Sequence, residues 1–315
     1  MAEGGEKWER EVLEKIALAG IKEQRASRRW GIFFKLLAFA YVTTLLFFTV
    51  DWQKADGMGD GKHTALVEVS GIIAPGTDNS AEKINAALQA AFKDSKTQGV
   101  VLRINSPGGS PVQSQNIYDE MRRLRAKYPS IPLYVVVEDL CASGGYFIAV
   151  GADRIYVNKS SLVGSIGVRM DSWGVTGLMD KLGIERRLLT AGENKGFLDP
   201  FLPVDEKQKA HALGMLAEIH QQFISVVREG RGKRLKETPD IFSGLIWTGQ
   251  KSIELGLADG FGSLDFVARE VIKAEEVVDF SQKENIAEKF ARRLGAGAAG
   301  ALADYAVRNS PGFAR

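Results

Sequence analysis

Three times between residues 66 and 150 a short apolar, β-branched run ends in a turn and gives way to helical spacing. Residues 66–73 alternate and read as a strand, and residues 81–92 follow with Ile84, Ala87, Leu88 and Ala91 on one helical face. Val100, Val101, Leu102 and Ile104 form a buried strand that stops at Asn105-Ser106-Pro107-Gly108-Gly109, and a helix is predicted over 112–127. Residues 133–137 give a third strand, after which Ser143-Gly144-Gly145 opens a helix through Val150. Further strands are expected at 155–157 and 163–168, a long helix at 205–229 and a shorter one at 250–257. This alternation predicts an α/β domain with a mostly parallel sheet, because parallel neighbours need a crossover connection that a helix supplies. No internal repeat is visible.

The second constraint is an apolar block. Residues 31–50 read GIFFKLLAFAYVTTLLFFTV with Lys35 as the one charge, whereas the 30 residues before it hold seven Lys/Arg and six Asp/Glu. Twenty helical residues at ~1.5 Å each span ~30 Å, the thickness of a bilayer's hydrocarbon layer. Trp30 and Trp52 bracket the block as interfacial aromatics do, and Lys35 sits one turn inside, within snorkelling reach of the headgroups. A long charged leader and the lack of a small-x-small site before Asp51 argue for a retained signal-anchor over a cleaved signal peptide. Lys22, Arg25, Arg28 and Arg29 before the block, against Lys54 and Lys62 after it, put the N-terminus in the cytoplasm and the rest on the far side. The expected organisation is a charged cytoplasmic segment at 1–30, a transmembrane anchor at 31–50, a linker at 51–62, a domain at 63–280, and a C-terminal helix with a Gly/Ala-rich tail at 281–315.

Composition narrows the function. Charge is 41 − 39 = +2, too balanced for a nucleic-acid binder. The single cysteine, Cys141, excludes an intramolecular disulfide framework and an all-cysteine zinc site. No HExxH, CxxC or phosphate-binding loop is present, and no cofactor is expected.

Two glycine-flanked elements could carry chemistry. Ser143 follows a buried strand and opens a helix, where backbone N–H groups and the helix dipole favour developing negative charge. Gly144 could then donate to an oxyanion, and so could Gly108 or Gly109 at the end of the neighbouring strand. Taken alone, Ser143 reads more readily as an N-cap than as a nucleophile, and Pro-Gly as ordinary turn vocabulary. Cys141 reads as a small buried residue. A base is the missing part. His211 and His220 lie nine residues apart on one predicted helix and face opposite ways, and His63 falls at the end of the linker. Lysine can serve if it is neutral. With an ordinary pKa of ~10.4, burial must cost it ~4 kcal/mol of charge stabilisation to leave it neutral at pH 7. Lys195 is flanked by Phe197, Leu198 and Phe201, but spacing alone does not choose it among the other lysines.

In their order and spacing these elements resemble the signal peptide peptidase A (protease IV) family, membrane-anchored bacterial serine peptidases with a ClpP/crotonase-like fold of repeated ββα units. The resemblance runs over residues 64–277 and includes the N-terminal apolar block. Asn105 to Gly109 resembles the family's oxyanion-side loop, and Ala142-Ser143-Gly144-Gly145-Tyr146 its nucleophile motif. Lys195 lies 52 residues after Ser143 in a Gly-x-x-Lys-x-x-x-x-Pro-Phe context that is similar to the general-base motif of the short, single-unit form. Ser165, in Gly164-Ser165-Ile166-Gly167-Val168, matches the serine that holds the lysine ammonium. The resemblance implies a Ser-Lys dyad that degrades cleaved signal peptides or other short apolar peptides at the bacterial inner membrane, with the catalytic domain outside the cytoplasm. It also implies a homo-oligomeric ring in which the two dyad residues come from neighbouring protomers. Two other readings remain: a crotonase-like acyl-CoA enzyme, which would bind CoA and have no role for Lys195, and a catalytically inactive membrane-tethered scaffold.

Overall fold

The computed structural model describes residues 61–282 and 28–44, with Leu18, Lys22, Gln24 and Arg25 before them. Residues 28–44 are helical and exposed along their length. Among the described residues no helix is long and apolar enough to cross a membrane. The last part of the expected anchor at 45–50, nearly all of the linker and the tail from 283 lie outside the described residues.

The domain opens with strand β1 (His63–Ser70) and helix α1 (Ala81–Lys93), then β2 (Thr97–Ser106) and α2 (Pro111–Lys127), then β3 (Leu133–Ala142) and α3 (Gly144–Ala149). It continues through β4 (Arg154–Val157), β5 (Leu162–Gly164), α4 (Thr176–Leu182) and the long α5 (Glu206–Arg231). Last come β6 (Ile246–Thr248), α6 (Gly249–Glu254), β7 (Gly260–Phe261) and β8 (Val277–Asp279). The sheet runs β6-β5-β3-β2-β1-β8, and every pairing is parallel except β5 with β6. β4 pairs with β3 and with β7. The α/β expectation holds. Among the described residues the ββα unit occurs once, at β4–β5–α4. The first three strands alternate singly with helices, as parallel neighbours β1, β2 and β3 require.

Sequence explains the first half closely. Ile84, Ala87, Leu88, Ala91 and Phe92 of α1 and Ile117, Met121 and Leu124 of α2 are buried with Val67, Val100, Leu102 and Val135 of the sheet. Each such side chain contributes ~1.5–3 kcal/mol on burial. Ser110 and Asp205 cap α2 and α5 through Gln113 N–H and Gln208 N–H. All six residues of α3 are buried, and Tyr146 Oη donates to Leu257 O at 2.8 Å. That satisfies the one polar side-chain atom of the helix.

The boundaries differ in instructive ways. β1 starts at His63, three residues before the strand expected at 66–73, and stops at Ser70 because Gly71 takes φ 94°. His63 is buried, its ring stacked on Phe280 and its Nε2 3.3 Å from Thr97 Oγ1. β3 runs on to Ala142 through Glu138 and Asp139. Its first half pairs with β4 (Tyr134–Arg154 to Val136–Tyr156) and its second with β5 (Leu140–Leu162 to Ala142–Gly164). β5 ends at Gly164, earlier than expected, since Ser165 turns to φ 52°.

A buried ion pair locks the far end of α5. Arg231, 1% exposed, donates through both terminal nitrogens to Asp259 at 2.8 and 2.9 Å and through Nε to Gly256 O. Asp259 also accepts Ile155 N–H and an Arg234 nitrogen. Burial opposes ionisation of Asp259, but these donors outweigh it and hold its carboxyl below the usual carboxylate range.

Candidate active site

Ser143 stands where β3 ends and α3 begins, in the positive-φ region at φ 52°, ψ −122°. A non-glycine residue held there is strained, and here the surroundings fix it. Its N–H donates to Gly164 O at 2.8 Å and its carbonyl accepts Phe147 N–H at 2.9 Å. One strand over, Ser165 takes the same φ of 52°, with its N–H donating to Leu245 O at 2.8 Å. Two serines therefore leave the C-terminal ends of adjacent parallel strands side by side, where ligands of open α/β sheets bind.

The turn after β2 packs against them. A Cβ on Gly108 (φ 96°) would stand 2.6 Å from Gly144 N and 2.8 Å from Ser143 Cβ, so this position requires glycine. A Cβ on Gly109 would stand 2.0 Å from Ile73 O, because Gly109 bridges Ile73 in a one-residue extension of the sheet. The N–H of Gly108 donates to Ser106 Oγ at 3.1 Å. The N–H groups of Gly109 and Gly144 donate to no protein group among the described residues. They lie together, since Gly109 N is 3.2 Å from where a Cβ on Gly144 would sit.

Ser143, Ser165, Gly108, Gly109 and Gly144 all line one cavity of ≈ 960 Å³. Its apolar wall includes Ile72, Val112, Phe147, Ile219 and Phe223, and Arg169 and Asp171 stand at its edge. Sequence reasoning brought out none of these wall residues. Ile72 and Val112 flank the glycine turn, and their exposure is a property of the fold alone.

Lys195 is elsewhere. It is exposed, in the turn 192–198, and does not line this cavity. Its loop is ordered by Lys195 N–H to Gly192 O (3.1 Å), Leu198 N–H to Gln208 Oε1 (3.0 Å) and the Arg186–Asp199 ion pair at 2.8 Å. None of the three histidines lines the cavity either. His220 sits on α5 with Nε2 3.2 Å from Ile166 O, and His211 packs edge-on against Phe197. Cys141 is wholly buried, and desolvation pushes its thiol pKa up, which makes it an inert core residue.

Comparison with known proteins gives the family. The family described as Peptidase family S49 matches residues 125–278, and that described as Clp protease matches residues 65–163. A Synechocystis protein named "Putative protease slr0021" is 32% identical over 202 residues, covering 64% of this chain and 70% of its own. "Putative protease MJ0651" of Methanocaldococcus jannaschii is 35% identical over 198 residues, 61% of this chain and 63% of its own. The chain is also 47% identical over 177 residues to "Na(+)/H(+) antiporter NhaA" of Brucella melitensis, of whose length it spans 24% and by which 56% of this chain is covered. The fold is thus the α/β, Clp-protease-like one, with a serine at a strained strand-to-helix turn. The chain belongs to peptidase family S49.

Proposed function

We propose that this chain is a membrane-anchored serine endopeptidase with Ser143 as nucleophile and Lys195 as general base. The observation that carries the reading is the placement of Ser143 beside two N–H groups, of Gly109 and Gly144, that have no acceptor of their own among the described residues. Neutral Lys195 takes the proton of Ser143 Oγ as that oxygen attacks a peptide carbonyl. The carbonyl oxygen becomes an oxyanion held by the two N–H groups, each worth ~3–4 kcal/mol in a site of this kind. Gly108, its own N–H bound to Ser106, serves by having no side chain. Lys195 returns the proton to the leaving amine, and water then hydrolyses the acyl-enzyme. Ser165 orients the ammonium, as an aspartate does for histidine in a triad.

The position of Lys195 supports an assembly in which each site draws its lysine from a neighbouring copy. Around it the chain carries uncovered apolar side chains, with Trp173 82% and Leu189 96% exposed. A ring of such copies encloses its sites and admits short or unfolded apolar peptides, residual signal peptides among them. The apolar block at 31–50 holds the enzyme beside those substrates, with the domain on the extracytoplasmic side of a bacterial inner membrane.

The test is hydrolysis of an apolar peptide ester by wild type, Ser143→Ala and Lys195→Ala, with assembly size measured on each. Both variants should fall to background without losing the assembly. Mixing the two variants before assembly should restore about a quarter of the activity if subunits combine at random around a ring. Full turnover by Ser143→Ala removes the peptidase reading, and failure of mixed rings to recover removes the shared site.

A further inference from the structure

Ser106, the last residue of β2, is wholly buried and does not line the cavity, so it cannot touch substrate. Its hydroxyl nevertheless holds two strand ends. Oγ donates to Gly71 O at 2.6 Å and accepts the N–H of Gly108 at 3.1 Å. One donor and two acceptor lone pairs make both bonds compatible. The first ties the glycine turn to the chain leaving β1. The second closes a side-chain turn over Pro107, whose fixed φ leaves the turn few alternatives.

The consequence falls on the next peptide. With its N–H held by Ser106, Gly108 turns its carbonyl to Ile73 N–H at 3.0 Å, and Ser110 N–H donates to Ile73 O at 2.8 Å. The peptides on either side of Gly109 are thereby tied to Ile73, and the Gly109 N–H, which donates to no protein group among the described residues, is left beside Gly144. Ser106 also faces Cys141 across the β2–β3 ladder, after a register shift between Ile104 and Ser106. A Cβ on Gly145 would stand 3.2 Å from Ser106 O, so the start of α3 rests on the same residue.

Resting on the assignment of Ser143 as nucleophile, we infer that Ser106 is a positioning residue for the oxyanion site, aiming the Gly109 N–H by holding Gly108 to Gly71. Its loss leaves the nucleophile and the apolar wall in place but lets the donor drift. The cost therefore appears in the transition state and not in ground-state binding.

The experiment uses the full-length protein with Ser106→Ala and Ser106→Cys, read by ester hydrolysis, by inhibition with a substrate-like peptide aldehyde, and by affinity for the product peptide. The aldehyde adds Ser143 Oγ and presents a tetrahedral oxygen to the donors. Cysteine keeps the shape of the side chain, but its longer, weaker S–H bond cannot reproduce the 2.6 Å contact. In both variants kcat should fall ~10- to 100-fold with KM within ~2-fold of wild type. Aldehyde affinity should weaken by the same factor as kcat/KM, and product affinity should hold. A kcat within ~3-fold of wild type overturns the inference, as does a loss shared equally by KM and product affinity. If Ser106→Ala does not fold, Ser106→Cys decides on the same criteria. Ser143→Ala is run beside them. If it stays fully active, the peptidase reading and this inference both fall. If it is inactive while Ser106→Ala and Ser106→Cys are unimpaired, only this inference falls.

Discussion

The shelf that presents Ser143 and the segment that carries Lys195 are built on opposite plans. Around Ser143 the chain is packed to the limit: α3 is buried throughout, and Cβ atoms on Gly108, Gly109 or Gly144 would collide with neighbours at 2.6 Å or less. Around Lys195, over residues 169–204, no residue is buried, and Trp173, Leu178, Leu182, Ile184 and Leu189 face outward. α4 within this stretch buries nothing. The geometry of Ser143 is therefore fixed by the chain's own core. The lysine's surroundings have apolar side chains but no core to bury them, and exposed apolar surface of that extent gains from a partner.

Substitutions can break or sharpen that contrast. The largest effect is expected from Gly109→Ala, whose methyl would meet Ile73 O at 2.0 Å. Ester hydrolysis should drop by ~100-fold or more as the donor is pushed out of line. Next is Asp259→Asn, which leaves the guanidinium of Arg231 buried beside a neutral partner and should cost ~3–5 kcal/mol in urea unfolding. The pH dependence gives this its sign. Asp259 has a depressed pKa when folded, so its contribution is present above the unfolded carboxylate's pKa and is lost as pH falls through the folded value. Wild type should lose stability below about pH 4, and Asp259→Asn should lack that part of the loss. The smallest effect on folding should come from Leu189→Ser. At 96% exposure it should move the domain's unfolding free energy by less than ~0.5 kcal/mol while reducing assembly size on a sizing column. An unfolding shift as large as that of Asp259→Asn would erase the distinction between the two regions.

Much of the shelf is legible in the sequence because local pattern and tertiary position agree there. β-branched runs are the central strands, and the helical spacing of Ile84, Ala87, Leu88 and Ala91 is the buried face of α1. The meeting of Gly109, Gly144, Ser143 and Ser165 follows once β2, β3 and β5 are known to be neighbours. What is not legible has a common cause. β6, β7 and β8 are two or three residues long and exist by virtue of their partners, not their composition. β3 continues through charged Glu138 and Asp139 because β5 pairs beyond them. His63 falls outside the strand expected at 66–73 because its burial depends on Phe280 and Thr97, distant in sequence. The Ser106 bond did have a local signal, a serine two residues before a glycine in a Pro-Gly turn.

β3 is divided between two partners, with β4 along its first half and β5 along its second. That makes it a ruler. The height of Ser143 above the sheet is a counted number of residues from the first pairing at Val100–Leu133 to the end of the strand. Inserting or deleting one residue within the strand would turn its inward side chains outward against one neighbour or the other and carry Ser143 off its mark. Length variation among relatives should accordingly collect in the exposed stretch 169–204, leaving the span from Leu133 to Ser143 constant.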